Sequence, residues 1–147
     1  MSKTKKLATK VIDRLRPIMK FAPIAERSTH TIGQLSSHLR VSLRTLRFYE
    51  QTGLLAPGRD GLRRLYTRDD LERLEVIVTL RELEVSLTAI KALMAMIDGD
   101  ERSSEEETMA RVETILAELA RDNRARIEEL EQINARIEQA RHDLTAP

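Results

Sequence analysis

The spacing of apolar residues along the chain predicts two short helices joined by a tight turn. Apolar side chains recur at helical intervals after Thr31 and again after Ser42, and both residues can cap the N-terminus of a helix. Only residues 40–42 separate the two helices, and Gly53 favours the left-handed conformation that ends a helix. The pattern predicts a helix-turn-helix, an arrangement that can place its second helix in the major groove of DNA.

The second of these helices exposes side chains that are suited to DNA. If Leu43 and Leu46 face the core, the rest of the circumference carries arginine, hydroxyl and aromatic side chains. Arginine pairs with guanine or with phosphate, and hydroxyl groups bond phosphate oxygens. Phe48 fits a position in the core equally well. The candidate DNA-binding residues of this helix are Ser42, Arg44, Thr45, Arg47, Phe48 and Tyr49.

Residues 54–66 predict a β-hairpin directly after the second helix. Pro57 disfavours a helix, Asp60-Gly61 is a strong signal for a tight turn, and the flanking residues are apolar. A hairpin with several arginines beside such a helix is expected to contact the phosphates of the DNA backbone. The alternative is a solvated loop. The candidate DNA-binding residues of the hairpin are Arg59, Arg63 and Arg64.

Two further helices are predicted after the hairpin. Thr67 and Ser86 can cap them, and the second ends near Gly99. The expected apolar stripes are Leu71, Leu74, Ile77, Val78 and Leu83 in the first helix, and Leu87, Ile90, Leu93 and Met94 in the second.

The last part of the chain predicts one long helix. From Ser104 to Thr145 there is no Gly or Pro, and apolar residues are separated alternately by three and four positions. This heptad repeat indicates a coiled coil, with a long helix packed on its own domain as the alternative. The expected dimerisation residues are Val112, Leu116, Leu119, Asn123, Leu130, Ile133, Ile137 and Leu144. The repeat leaves parallel and antiparallel arrangements open.

Charge divides the chain into two parts of opposite sign. Residues 1–68 hold fifteen Lys and Arg against four Asp and Glu, a net charge of +11, whereas residues 69–147 hold ten against twenty, a net charge of −10. The first part therefore favours a polyanionic partner. Its lysine-rich beginning, residues 1–28, has three open interpretations: a basic arm on DNA, a membrane-surface helix or a loose tail.

Composition excludes several other classes. The 147 residues include no cysteine, which excludes thiolate metal sites and cysteine nucleophiles, and the three histidines are scattered. No phosphate-binding glycine loop or set of nucleophile and base is found, so we expect neither an enzyme nor a cofactor. No run of about 18 apolar residues occurs, and we expect a soluble cytoplasmic protein without a membrane partner.

An ordered string of motifs resembles the MerR family of bacterial transcription regulators. The string is Thr31-Ile32-Gly33-Gln34-Leu35, then Val41-Ser42-Leu43-Arg44-Thr45-Leu46-Arg47-Phe48-Tyr49-Glu50, then Gly53-Leu54-Leu55-Ala56-Pro57 and Arg64-Leu65-Tyr66. The resemblance runs from Thr31 to about Met96. It implies a mainly α fold: a winged helix-turn-helix head with a small β-hairpin wing, two connector helices and a long dimerisation helix in an antiparallel coiled coil. The implied boundaries are a basic extension at 1–30, the head and connector at 31–98, and the coiled coil at 99–147.

The resemblance also implies a function. Family members bind palindromic operators as homodimers and often distort promoter DNA, so the implied partners are double-stranded promoter DNA, a second copy of the chain and RNA polymerase. Tyr66 then joins the expected DNA contacts, because it matches the wing motif. One departure is Glu84, where the family usually has glycine, which puts the turn between the connector helices in doubt. The competing hypothesis is a coiled-coil interaction adaptor with weak or nonselective DNA binding.

Overall fold

The computed structural model describes residues 3–99 and 104–146, with side chains from residue 9 onward. The chain divides into two compact units, residues 1–109 and residues 110–147. The described elements are α1 (Lys3–Leu15), a 3-10 turn (Arg16–Ile18), β1 (Thr29–His30), α2 (Ile32–Leu39), α3 (Leu43–Gln51), β2 (Gly58–Asp60), β3 (Arg63–Thr67), α4 (Arg68–Glu82), α5 (Leu87–Asp98) and α6 (Glu105–Thr145). The mainly helical fold with a small sheet confirms the expected fold class.

The helix boundaries follow from local capping chemistry. The Thr31 side chain accepts from the backbone N–H of Gln34, while the Gln34 side chain accepts from the backbone N–H of Thr31 at 2.9 Å. Thr67 and Asp70 form the same reciprocal pair at the start of α4. Such caps satisfy backbone donors that have no partner inside the helix. Ser42 and Ser86 also cap their helices, as predicted.

The hairpin is confirmed, with one additional strand beside it. β2 and β3 pair in antiparallel fashion, with Arg59 opposite Arg64, and the turn contains Gly61 at φ +58°. β1 pairs with the other edge of β3, where His30 lies opposite Tyr66. The sequence gives no signal for β1, because two residues are too few to show an alternating pattern.

The N-terminal extension is part of the core of the first unit. Val11, Ile12 and Leu15 of α1 are buried, and α1 packs against α4 and α5. At the surface, Lys10 Nζ lies 2.5 Å from a carboxylate oxygen of Glu105. The structure therefore differs from the interpretation of a loose tail, because the apolar side of α1 is buried against α4 and α5. The side chain of Leu7, on the same helix, lies outside the described side chains.

Two apolar residues differ from their predicted burial. Leu43 is 41% exposed and Leu83 is 37% exposed. The buried side of α3 is formed by Leu46 and Tyr49, so the inward face is turned away from Leu43. Leu83 comes after the last residue of α4 and therefore lies outside its buried stripe.

The final helix is continuous over 41 residues. Ser104 caps it, because its Oγ accepts from the backbone N–H of Glu107 at 3.1 Å. Every described side chain from Arg121 onward is exposed. Across residues 3–99 and 104–146, no helix is both long and apolar enough to span a bilayer.

Candidate nucleic-acid interface

Helix α3 presents a basic and aromatic face to solvent. Arg44 and Arg47 are exposed, and Phe48 is 42% exposed, so Phe48 is available for contact instead of filling the core. Ser42 Oγ accepts from the backbone N–H of Thr45 at 3.0 Å and lies 2.8 Å from Thr45 Oγ1. These two hydroxyl groups therefore fix the first turn of the helix, from which the arginines project.

The tip of the hairpin is a second basic surface. Arg59 and Arg63 are exposed on β2 and β3, and Leu62 between the strands is 99% exposed. Guanidinium groups on such a short, exposed hairpin can reach phosphate oxygens along a DNA backbone. The predicted arginines of the wing are thus all on or near the surface, and the apolar tip residue was not predicted.

Glu50 links the hairpin to α3. Its carboxylate accepts from Arg64 Nε at 2.8 Å and from the buried hydroxyl of Tyr66. Glu50 is largely buried, whereas the Arg64 side chain remains 40% exposed. A carboxylate shared by a guanidinium and a phenol fixes the angle between the wing and the helix. Arg64 is therefore held in place while part of it still faces solvent.

The two tyrosines do not lie on the exposed surface. Tyr66 is fully buried and Tyr49 is 4% exposed, which contradicts the expectation that both side chains lie on the DNA-binding surface. Burial raises the pKa of Tyr66, and the hydrogen bond to Glu50 raises it further. Burial also raises the pKa of Tyr49, whose hydroxyl bonds Arg81. Both hydroxyl groups thus serve internal hydrogen bonds, and the wing motif matches a residue that positions Arg64.

Arg73 connects the segment after α3 to α5, and no sequence motif indicated this role. Its Nε donates to the backbone carbonyl of Leu54 at 2.6 Å, and Nη2 contacts Asp98 Oδ2 at 2.7 Å. Arg73 therefore ties the segment after α3 to the end of α5. The sequence carries no signal for this contact, because Arg73 and its two partners, Leu54 and Asp98, are far apart along the chain.

The predicted dimerisation residues of α6 fall into two groups. Val112 is buried, and Leu116 and Leu119 are partly buried. The predicted residues from Asn123 onward are exposed to solvent. The large apolar side chains among them, together with Ile127, which was not predicted, are 42% to 86% exposed: Ile127, Leu130, Ile133, Ile137 and Leu144.

The fold and the exposed basic surfaces define a winged helix-turn-helix protein of the DNA-binding type. Residues 30–97 match the family described as MerR HTH family regulatory protein. The chain is 31% identical over 108 residues to the HTH-type transcriptional regulator ZntR homolog of Haemophilus influenzae, a match that spans 72% of this chain and 76% of the relative. This chain belongs to the MerR family of transcription regulators.

Two further relatives agree with that membership. The HTH-type transcriptional activator TipA of Streptomyces coelicolor is 33% identical over 115 residues, which cover 76% of this chain and 41% of TipA. The crystal structure of HiNmlR, a MerR family regulator lacking the sensor domain and bound to promoter DNA, aligns with a TM-score of 0.53 at 29% identity and covers 73% of this chain and 79% of that one. The three relatives are named as regulators or activators, and none as an enzyme.

Proposed function

We propose that this protein is a transcription regulator that binds a palindromic promoter operator as a homodimer. The observation that carries the proposal is the pair of exposed arginines, Arg44 and Arg47, on the surface of a capped α3 beside an arginine-bearing wing. Two basic surfaces joined through Glu50 suit a helix in the major groove and a hairpin on the adjacent backbone.

Fluorescence anisotropy tests the proposal directly. The protein is titrated onto labelled DNA from upstream of its own gene and onto unrelated DNA of equal length, at near-physiological salt. Selective binding with one dimer per site is expected. Equal, salt-sensitive binding to that DNA and to a panel of other promoters would contradict operator recognition and favour the interaction adaptor.

Variants at Arg47 distinguish base contact from phosphate contact. If Arg47 pairs with guanine, Arg47→Ala weakens operator binding by about 1–3 kcal/mol and relaxes selectivity. If Arg47 contacts phosphate, the loss is similar on every DNA and the dependence on salt becomes shallower. Arg14→Ala, on the exposed side of α1, is the matched control. Full, selective binding by an Arg44, Arg47 and Arg64 triple alanine variant would refute the assignment of this surface.

Exposed apolar residues on α6 support the homodimer. Leu130, Ile133 and Ile137 repeat at intervals of three and four along α6, and all three are more than 40% exposed. Burying such a stripe against a second copy removes apolar area from water and places two DNA-binding heads in one particle.

The proposal extends to the promoter. A dimer that holds two recognition helices at a fixed distance can bend or twist the DNA between the half-sites. RNA polymerase would then bind a promoter whose elements have a changed relative position. Operator DNA labelled at both ends is expected to show a change in energy transfer on binding of the protein, and in vitro transcription is expected to change with it. An operator whose end-to-end distance stays constant would contradict distortion.

A further inference from the structure

Exposed apolar side chains in the first unit are concentrated on the elements of the candidate nucleic-acid interface. Five large apolar residues in the described part of this unit are 37% to 99% exposed: Ile18, Leu43, Phe48, Leu62 and Leu83. Three of these five lie on α3 or on the turn of the hairpin. A single exposed apolar residue is ordinary on a protein surface, so it is their concentration on a binding surface that indicates contact with a partner.

Leu43 begins α3 and lies outside the core. The helix runs from Leu43 to Gln51, and its buried side is formed by Leu46 and Tyr49. Leu43 is 41% exposed and lies one helical turn before Arg47, which is exposed as well. Since residues four positions apart are neighbours on a helix surface, these two side chains share one face. Leu43 therefore belongs to the surface that carries the arginines.

The first turn of α3 leaves few side-chain groups free for bases. Ser42 Oγ accepts from the backbone N–H of Thr45 at 3.0 Å, and the two hydroxyl groups lie 2.8 Å apart. These hydroxyl groups are engaged in the cap, whereas Leu43, Arg44 and Arg47 are at exposed positions. In helix-turn-helix proteins the N-terminal residues of the second helix contact base edges. The side chains of α3 that suit this contact are thus two guanidinium groups and one apolar group.

The major groove of DNA offers one kind of apolar group. Each base pair presents hydrogen-bonding groups there, and thymine adds its 5-methyl group. A leucine against a cytosine amino group or a guanine carbonyl removes water from a polar atom without replacing its hydrogen bond. A leucine against a thymine methyl group buries apolar area on both sides. Leucine in this position therefore favours a base pair that contains thymine.

We propose that Leu43 recognises the 5-methyl group of one thymine in each operator half-site, next to the base pair that an arginine of α3 contacts. The inference rests on the proposed function and deepens it, because it names a base that the operator contains. Phe48 is the other exposed apolar residue of α3, but it lies farther from the N-terminal end that enters the groove. Thymine recognition is therefore assigned to Leu43.

The operator sequence is first selected from a duplex library of random sequence. The full chain is used, and bound duplexes are separated and amplified over several rounds at near-physiological salt. We expect a palindromic sequence with thymine in each half-site. If no sequence is enriched, operator binding itself is contradicted, and this proposal with it. If a sequence is enriched, the steps that follow test Leu43 alone, so the two failures are distinguishable.

Replacing thymine by uracil removes the methyl group and nothing else. Each thymine of the selected half-site is replaced in turn, symmetrically in both half-sites, and the affinity is measured by fluorescence anisotropy. At the position that Leu43 contacts, we expect a loss of about fourfold per half-site, or about fifteenfold for the whole operator, the fold-change that corresponds to about 0.8 kcal/mol for one apolar carbon group removed from water. If no position shows such a loss, the proposal is wrong.

Matched variants identify the side chain that contacts the methyl group. Leu43→Ala is expected to bind the thymine and uracil operators with affinities within about twofold of each other, because the shortened side chain does not reach the methyl group. Leu83→Ala also shortens an exposed leucine, but outside α3 and the hairpin, and should keep the full discrimination. Because both leucines are more than one third exposed, neither change opens the core.

Phe48→Ala separates the two exposed apolar residues of α3. This variant should keep the discrimination at the position that responds to Leu43→Ala. A loss of general affinity lowers binding to both operators equally, so the ratio of the two affinities reports the methyl contact alone. Discrimination that survives in Leu43→Ala, or that is lost in Phe48→Ala instead, would overturn the assignment to Leu43.

Discussion

Glu84 adopts a backbone conformation that usually belongs to glycine. Its φ is +66°, in the left-handed region, where a side chain costs roughly 1–2 kcal/mol. The turn between α4 and α5 is held by the backbone bond from Val85 N–H to the carbonyl of Leu80 at 3.0 Å and by Arg81, which donates to the carbonyl of Val85 at 2.8 Å. Glu84 is therefore held in a strained conformation by the turn around it.

Replacing Glu84 by glycine is expected to stabilise the protein. Glu84→Gly should raise the free energy of unfolding by about 1 kcal/mol, because glycine adopts positive φ without a steric penalty. Urea denaturation with an unchanged m-value measures the effect. Glu84→Ala removes the same charge but keeps the β-carbon, so it should give no comparable gain. Equal stability of the glycine and alanine variants would show that the backbone conformation is not the source.

The hydroxyl of Tyr66 is expected to act on DNA binding through Arg64. Tyr66→Phe leaves Glu50 with one donor fewer, which should cost about 1 kcal/mol of stability and loosen the position of Arg64. The operator affinity measured by anisotropy should fall by less than in Arg47→Ala. Tyr49→Phe is the matched control, since it removes a buried hydroxyl that bonds Arg81 and not the Glu50 carboxylate. An equal loss of affinity in both variants would contradict a positioning role for Tyr66.

At the scale of elements, α1 is expected to be a stabilising part of the fold. Ile12 is 1% exposed within the packed side of this helix, so Ile12→Ala should cost about 2–5 kcal/mol. Arg14→Ala, two residues away and exposed, should change stability by less than about 0.5 kcal/mol. Thermal unfolding followed by circular dichroism measures both. If Ile12→Ala unfolds at the same temperature as the parent protein, the extension is a loose tail after all.

Local signals explain which elements could be predicted from the sequence. Each of the helices α2 to α5 has a capping residue directly before its apolar repeat: Thr31, Ser42, Thr67 and Ser86. The beginning of these four helices can therefore be predicted from the local sequence. By contrast, α1 is fixed by the surface that α4 and α5 offer it, and β1 by its pairing with β3. Neither partner can be recognised from the segment itself.

The same distinction holds for the candidate site. The exposure of Arg44 and Arg47 follows from helical periodicity around Leu46. The burial of Tyr66 does not follow from periodicity. It depends on the pairing of β1 with β3 and on the carboxylate of Glu50, which lies 16 residues earlier in the chain. The match to the wing motif therefore assigned this tyrosine to the DNA-binding surface, although a motif does not show whether its side chain is buried.

At the scale of the whole molecule, the absence of cysteine makes the orientation of the proposed coiled coil directly measurable. Any cysteine introduced into the 147-residue chain is the only one present, so an oxidised dimer reports a single pair of positions. A disulfide requires Cα atoms within about 7 Å of each other. The same seam position in two chains satisfies this condition along the whole length of a parallel coil, but only at the centre of an antiparallel one.

We therefore expect Asn123→Cys to form a disulfide-linked dimer on mild oxidation and Ile137→Cys to form none. With Asn123 at the centre of an antiparallel pair, the two copies of residue 137 are separated by 28 helical positions, about 40 Å at 1.5 Å per residue. Non-reducing electrophoresis measures the linked fraction, and reduction provides the control. Efficient linkage at residue 137 would establish a parallel coil, and it would bring the two heads to one end of the pair instead of to opposite ends. The spacing of operator half-sites would then have to be short, so the orientation of α6 determines which DNA the protein can read.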